Sequence, residues 1–346
     1  MTMSNRFRFI AALLLIFSLN LGAQTKDEIY SYLKTLGNGK YLFGQMATWV
    51  HNENPDMDDP SNWIRKVHDH TGVYPGYACI TYDYDDDPFS DAAWNEGVKK
   101  LWDKGFLVGV YNFYANPCGG RWNSPVTLDP IFEEGENAIK SAFYKEMDRM
   151  AANMQWLKDN GIAVIYTPFV ELDDKNKWHA KEGARNGIRL YRLVHDYFTS
   201  KGLDNIIWAF HTTQRAGALQ EYYPGDEYVD IIGKSAYGKG LIFNEYEWAV
   251  EKKKNSGKVI WWGELGIRDK KDEPRDCFDV LKKLNTSFPE LAGFSFWSDD
   301  GFYNVVGNLN GPQFMADPSF VTLNSKDSLK SPVKKGKKVK QGKRPK

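Results

Sequence analysis

The chain has 346 residues, of which 42% are hydrophobic and 26% charged, and its 45 basic residues balance 45 acidic ones. This length is enough for one large α/β domain. The sequence has no glycine-rich phosphate loop after a predicted strand and no His-x-x-x-His pair, which argues against a nucleotide-binding protein and a zinc hydrolase. Three cysteines, Cys79, Cys118 and Cys277, lack metal-type spacing and allow at most one disulfide. We therefore expect no metal and no other cofactor.

The N-terminal residues have the composition of an export signal. Arg6 and Arg8 give a basic start, residues 9–19 are almost wholly apolar, and Gly22 and Ala23 are small. This pattern predicts a secretory signal peptide over residues 1–23, whose apolar part is too short for a stable membrane span. We expect a secreted or periplasmic protein, cleaved near Ala23.

The C-terminal residues are strongly basic. Residues 325–346 hold nine lysines, one arginine and one aspartate, a composition that predicts a disordered tail. Without the two ends, 33 basic residues face 44 acidic ones, so the predicted domain at residues 24–324 is acidic. A basic tail can attract nucleic acid, anionic lipid or acidic polysaccharide. A solvated extension is the simpler interpretation, and we expect a monomer without a nucleic-acid partner.

Between the two ends, helical and strand patterns alternate. Helices are predicted from 3.6-residue apolar spacing and from capping residues such as Ser90, at residues 27–36, 60–70, 90–105, 138–160, 180–200, 243–253 and 277–284. Strands are predicted from short apolar runs, at residues 41–45, 77–82, 106–111, 162–171, 206–211, 228–233, 259–264 and 292–297. Eight strands alternating with helices predict a single (β/α)8 barrel, because a doubly wound sheet more often has fewer strands and a phosphate-type first turn.

Polar or aromatic residues lie at or shortly after the C-terminal ends of most predicted strands. In strand order these residues are Gln45, Asp83, Asn112, Glu171, His211, Tyr237, Glu264 and Trp297. The carboxyl ends of barrel strands meet at one face, and barrel enzymes build their active sites there. We therefore expect these side chains to converge, although they are far apart in the sequence.

Two of these residues, Glu171 and Glu264, are glutamates on strands four and seven, whose ends lie across the barrel mouth. A pair of carboxylates flanking a bound glycosidic bond is the machinery of glycoside hydrolysis. A separation of about 5–5.5 Å lets one carboxylate attack the anomeric carbon while the other protonates the leaving oxygen, with net retention of configuration. The sequence therefore predicts a glycosidase.

Three motifs resemble glycoside hydrolase family 26, whose members are retaining (β/α)8 enzymes and mostly β-1,4-mannanases. They are YYPGDEYVDIIG at residues 222–233, WGELG at residues 262–266 and FMADP at residues 314–318. The resemblance extends from residue 44 to about residue 323 and implies that Glu171 is the acid/base and Glu264 the nucleophile. It also implies that Tyr237 hydrogen-bonds the nucleophile and that Trp297 forms the floor of the −1 sugar site. The expected activity is that of an endo-1,4-β-mannanase.

Further sugar contacts are expected from loop aromatics and from the strand tips. The candidates are Trp122, Trp178, Asn112, Tyr114, His211 and Asp83. The tryptophans suit stacking on sugar rings, as does Trp49. His211 fits a structural role equally well, and Asp83 fits a role in holding its own loop.

Two departures from the family pattern concern sugar specificity. The family usually has an arginine and a histidine before its acid/base, whereas residues 167–170 are TPFV. On strand three the family tends to have Trp-His, where this chain has Asn112 and Phe113. These differences leave three alternatives open: a β-1,3-xylanase, a β-glucanase of the same fold, or a glycan-binding barrel without catalytic activity.

Overall fold

The computed structural model describes residues 24–49, 53–83, 88–298 and 301–325. The predicted signal peptide lies outside these residues, as does the predicted basic tail apart from Ser325. Within the described ranges, no helix is both long enough and apolar enough to cross a membrane. Cys79, Cys118 and Cys277 are all free thiols.

A closed barrel of eight parallel strands forms the centre of the molecule, as the sequence predicts. The strands are β1 (Tyr41–Met46), β2 (Tyr77–Tyr82), β3 (Leu107–Asn112), β4 (Val164–Thr167), β5 (Ile206–Thr212), β6 (Ile231–Tyr237), β7 (Val259–Gly266) and β8 (Gly293–Phe296). They follow one another around the barrel in chain order, and β1 pairs with both β8 and β2, which closes it. A short ninth strand, β9 (Phe320–Val321), pairs in parallel with β1.

The helices surround the barrel, and most of them lie where the apolar spacing places them. They are α1 (Lys26–Leu33), α2 (Trp63–Thr71), α3 (Asp91–Lys104), α4 (Asp129–Phe132), α5 (Ala138–Asp159), α6 (Ala184–Ser200), α7 (Ala218–Tyr222), α8 (Tyr246–Ser256), α9 (Phe278–Thr286) and α10 (Gly311–Met315). Ser90 caps α3 by accepting a hydrogen bond from the Ala93 N–H, as predicted, and Gly105 ends the helix with a φ of 116°. The sequence did not predict α4, α7, α10 or β9, because two to five residues are too few to show a period.

Three predicted strand limits around the barrel mouth are wrong, and two of the errors move a residue of interest. Strand β4 ends at Thr167, because Pro168 has no N–H to continue the ladder, so Glu171 lies in the following turn. Strand β6 covers residues 231–237 and not 228–233, which puts Tyr237 inside the strand. Strand β7 continues to Gly266, two residues beyond its predicted end at Glu264. In the last two cases pairing with the neighbouring strand extends the element beyond its apolar run.

Large aromatic side chains fill the barrel interior below the mouth. Tyr77 and Trp261 are fully buried, with ring centroids 5.1 Å apart. Gly109 on the neighbouring strand makes room for Tyr77, since a Cβ there would collide with the tyrosine hydroxyl. The barrel therefore has a packed floor, and space for a ligand is found at the carboxyl ends of the strands.

Candidate active site

A β-bulge in β7 directs the Glu264 side chain into the barrel mouth. The register between β6 and β7 passes from Lys234 opposite Trp262 to Ser235 opposite Glu264, so Gly263 is the extra residue. Its carbonyl accepts a 2.7 Å hydrogen bond from the Tyr111 hydroxyl. Position 263 has no room for a side chain, because a Cβ there would lie 2.8 Å from the His211 ring. The glycine that precedes the glutamate in the sequence is thus the residue that positions it.

Glu171 is positioned by a strained turn after β4. Its φ is +52°, which is uncommon for a residue with a side chain. The Glu171 N–H donates to His211 Nδ1 at 3.4 Å, and its carbonyl accepts a bond from the Asp174 N–H at 2.8 Å. The Leu172 N–H donates to the His211 carbonyl at 2.9 Å. Such strain persists only where the surroundings enforce it, and it is typical of functional sites.

The hydroxyl of Ser235 lies between the two glutamates. It donates to Glu171 Oε1 at 2.7 Å and lies 3.5 Å from Glu264 Oε2. Because one oxygen reaches both carboxylates, their nearest oxygens are closer than the roughly 6.5–9.5 Å found between the carboxyl groups of inverting glycosidases. The arrangement favours the shorter, retaining spacing.

Two further side chains hold this arrangement. The Tyr237 hydroxyl donates to Glu264 Oε2 at 2.7 Å. His211 Nε2 lies 3.1 Å from the Ser235 hydroxyl, and since its Nδ1 accepts the Glu171 N–H, its proton is on Nε2 and points at the serine. Burial lowers the pKa of His211 to about 4, so the ring is neutral near pH 7.

Lys177, which no sequence pattern indicated, lies directly against Glu171. Its Nζ is 3.0 Å from Glu171 Oε2, 3.1 Å from the Val170 carbonyl and 3.8 Å from Asp174 Oδ2. The lysine side chain is only 11% exposed. Its backbone is fixed by the next residue, Trp178, whose indole N–H donates to the Tyr114 carbonyl at 2.9 Å.

The two carboxylates have opposite electrostatic environments. Burial alone would raise the pKa of Glu171, but the Lys177 ammonium and the Ser235 hydrogen bond hold it well below its usual range. Burial raises the pKa of Glu264, and the negative charge of Glu171 raises it further. These environments favour Glu264 as the holder of a proton that the pair shares.

A cavity of about 360 Å³ opens over the two glutamates. It is lined by Trp49, Asp83, Phe113, Arg121, Trp122, Val170, Glu171, Asp174, Asn176, Lys177, Tyr237, Glu264 and Trp297. The structure thus brings four of the proposed sugar contacts, Trp297, Tyr237, Asp83 and Trp122, around the catalytic candidates. Trp49 packs on Trp297 with ring centroids 4.3 Å apart, and the two rings form an aromatic wall.

The other four proposed contacts are not among the residues that line this cavity. The Trp178 ring packs behind it, and the Tyr114 hydroxyl bonds to that of Tyr166 at 2.8 Å. His211 contacts the backbone of Glu171 through Nδ1 and the hydroxyl of Ser235 through Nε2. Asn112 pairs in register with Tyr82, whose hydroxyl bonds to a residue of α3, so Asn112 faces the helix layer.

Some of the cavity residues carried a signal in the sequence and others did not. Ser235 precedes Tyr237 by two residues on β6, so alternation along the strand places both on one face. Phe113 and Val170 stand where the family resemblance led us to expect histidines. For Lys177 there was no signal, because a lysine in a polar loop usually points into solvent. In the described part of the chain, no three His, Cys, Asp or Glu side chains are grouped so as to hold a metal ion.

The fold and these motifs agree with a match to a known family. The model of Glycosyl hydrolase family 26 matches residues 20–252. The chain belongs to this family. The matched range includes Glu171 and ends before Glu264.

Curated relatives of the chain are mannan endo-1,4-beta-mannosidases. One from Caldalkalibacillus mannanilyticus is 23% identical over 80% of this chain, and one from Bacillus subtilis is 28% identical over 61% of it. The matches cover 56% and 60% of the two relatives, so the chain spans little more than half of their length.

Solved structures of mannanases have the same fold. The Bacillus subtilis mannanase BCman superposes with a TM-score of 0.74 at 19% identity, over 91% of this chain and 98% of that one. A β-mannanase from a symbiotic protist of the termite Reticulitermes speratus, complexed with gluco-manno-oligosaccharide, has a TM-score of 0.66 at 21% identity over 90% and 96%. At such identities the likeness establishes the barrel fold.

Proposed function

We propose that this protein is a retaining β-glycosidase that cleaves β-1,4-mannan at internal linkages of the polysaccharide. The observation that carries the proposal is the pair Glu171 and Glu264, which line one cavity and are bridged by a single serine hydroxyl. Family membership supports the reaction type. The names of the curated relatives support mannan as the substrate.

In the first step Glu264 attacks the anomeric carbon while Glu171 protonates the departing glycosidic oxygen. The Tyr237 hydroxyl holds Glu264 Oε2, which leaves Oε1 for the attack, and among the described residues Oε1 has no hydrogen-bond partner. The products are a covalent glycosyl-enzyme and a released sugar chain. In the second step Glu171 removes a proton from water, whose oxygen then displaces Glu264.

The first step needs the shared proton on Glu171, whereas the charges around the pair favour it on Glu264. Ser235 provides a route between them, because its oxygen can accept a proton from Glu264 Oε2 while donating its own to Glu171 Oε1. His211 supports this exchange by donating to the serine oxygen from Nε2. Substrate binding that removes water from the cavity strengthens these contacts.

The cavity walls suit a sugar polymer. Trp297 and Trp49 offer apolar faces, and Trp122, which is 41% exposed, extends the aromatic surface toward solvent. Phe113 and Val170 make the wall next to Glu171 apolar. This difference from the family pattern keeps β-1,3-xylan and β-glucan as alternative substrates.

The proposal is tested by incubating the protein with β-mannan, β-1,3-xylan and mixed-linkage β-glucan and measuring reducing-sugar release. We expect release from mannan with oligosaccharide products, and the anomer first detected by NMR should have the configuration of the substrate. Release from β-1,3-xylan or β-glucan but not from mannan would make that polymer the substrate in place of mannan. Binding without release on every polymer would support the glycan-binding barrel and contradict the enzyme.

We also propose that the protein is exported through the segment at residues 1–23 and acts as a monomer. N-terminal sequencing of the protein secreted from its host, together with light scattering, tests both points. An uncleaved N-terminus would contradict the first, and a stable dimer would contradict the second.

A further inference from the structure

The environment of Lys177 is unusual for a lysine. Its side chain is buried in the cavity wall, and two of its three N–H groups are directed at Glu171 Oε2 and the Val170 carbonyl. Two successive turns create this placement, since the Asp174 N–H bonds to the Glu171 carbonyl and the Lys177 N–H bonds to the Asp174 carbonyl, both at 2.8 Å. The chain therefore returns within six residues to put the ammonium on the carboxylate.

The groups that face Glu171 come from four strands and from its own turn. They are Tyr111 on β3, His211 on β5, Ser235 and Tyr237 on β6, Glu264 on β7, and Lys177 and His179 after β4, with Asp174 paired to Lys177. The two histidines are kept neutral near pH 7, because burial lowers the pKa of His211 to about 4 and that of His179 to about 3. In this set the positive charge opposite Glu171 is supplied by Lys177.

The two half-reactions of the proposed function need Glu171 in opposite states. In the first it must carry a proton for the leaving oxygen, and in the second it must be ionised to take a proton from water. A cation 3.0 Å from Glu171 Oε2 stabilises the ionised state. The contact therefore favours the second half-reaction, in which Glu171 takes a proton from water, and disfavours the first, in which Glu171 donates a proton.

We propose that Lys177 is a positioning residue that keeps Glu171 ionised and so favours hydrolysis of the glycosyl-enzyme at the expense of its formation. The inference rests on the proposed function. In the favoured step the water oxygen bonds to the anomeric carbon and its proton passes to Glu171. The bond from that carbon to Glu264 breaks, and Glu264 leaves as a carboxylate.

The test compares Lys177→Met with Lys175→Met, a matched control at an exposed lysine of the same turn. Two substrates separate the half-reactions: a manno-oligosaccharide, whose poor leaving group makes the first step slow, and a 2,4-dinitrophenyl β-mannoside, whose leaving group needs no acid. Breakdown of the intermediate limits turnover of the second substrate, and an initial burst of dinitrophenol reports its accumulation.

We expect Lys177→Met to lower kcat on the dinitrophenyl substrate about tenfold at pH 5 and to enlarge the burst. The reason is that without the ammonium Glu171 becomes protonated at a higher pH, so the acid limb of the kcat profile moves to a pH about one to three higher. On the oligosaccharide, kcat/KM should stay the same or rise. Lys175→Met should match the parent on both substrates. An equal loss on both substrates with an unshifted pH profile would mean that Lys177 is merely structural and would overturn the inference.

A measurement on the parent protein keeps the inference testable if Lys177→Met and Lys177→Gln both fail to fold. The inference requires kcat on the dinitrophenyl substrate to stay level as the pH falls through the ordinary glutamate pKa of about 4.3. A decline centred at that pH would overturn it. If the parent hydrolyses neither substrate, the proposed function fails instead.

Discussion

The two glutamates of the cavity are held in different ways, and the difference explains their charges. Glu264 is part of a paired strand, is fully buried and accepts its shortest hydrogen bond from a neutral tyrosine. Glu171 lies beyond the end of its strand, in a turn that also brings back a lysine. Burial and the negative charge of Glu171 keep a proton on Glu264, whereas the ion pair with Lys177 removes it from Glu171. A turn can change its contacts during a reaction more easily than a paired strand can, which suits a residue that must both give and take a proton.

The strongest way to separate the two residues is to remove Glu264. Without the attacking oxygen no glycosyl-enzyme can form from any substrate, so Glu264→Ala should lose about 10⁴-fold or more in kcat on mannan and on an activated aryl glycoside alike. Glu247→Ala, at an exposed helix position, serves as the control and should behave as the parent. Retained activity on the aryl glycoside would exclude Glu264 as nucleophile.

Removing Glu171 should have an effect that depends on the leaving group. In Glu171→Ala, activity on mannan should fall about 10²- to 10⁴-fold, whereas a dinitrophenyl glycoside should still form the intermediate and show a burst. Azide can enter the space left by the side chain and should speed release as a β-glycosyl azide. Product analysis by NMR checks this, and an α-azide or the absence of any burst would argue against the acid/base role.

The serine bridge predicts a smaller effect. Ser235→Ala removes the hydroxyl that contacts both carboxylates, and we expect kcat on mannan to fall about tenfold to a hundredfold. Tyr237→Phe, which removes a contact to Glu264 alone, is the comparison variant. If Ser235 carries the proton, the loss in Ser235→Ala should be larger on mannan than on the dinitrophenyl glycoside, whereas a loss independent of the leaving group would point to positioning alone.

The smallest expected effect is on stability. Glu264 keeps its proton in the folded protein up to a pKa of about 8 but loses it near pH 4.3 when unfolded, so its contribution to stability declines as the pH rises through this window. Glu264→Gln removes the decline. The variant should therefore melt at a higher temperature than the parent at pH 8 and close to it at pH 4, as measured by calorimetry. If the melting temperatures of the variant and the parent differed equally at pH 8 and at pH 4, this would contradict the raised pKa of Glu264.

Much of the fold was predictable because each barrel strand has a recognisable pattern in its own short stretch of sequence. Buried parallel strands such as β2 are short continuous apolar runs, and caps such as Ser90 and Gly105 mark helix ends without reference to the rest of the chain. The limits of β6 and β7 were not predictable, because they depend on a bulge at Gly263 that only pairing between the two strands defines.

The candidate site also has features that the sequence could predict and features that it could not. Glu171 and Glu264 could be selected because each follows a run of buried residues. Lys177 and the charges of the pair could not, since they depend on a turn that folds a polar loop back onto the carboxylate. Loop tryptophans could not be sorted from sequence either: Trp122 lines the cavity, whereas Trp178 packs behind it.

The measurement that most directly tests the division of roles between the two glutamates is the location of the covalent intermediate. A 2-deoxy-2-fluoro-mannosyl fluoride slows both steps but keeps a good leaving group, so the glycosyl-enzyme should accumulate and survive proteolysis. Mass spectrometry of the peptides should find one sugar on the fragment that contains Glu264, and none in Glu264→Ala. A sugar on the fragment that contains Glu171 would reverse the two roles and contradict the proposed mechanism.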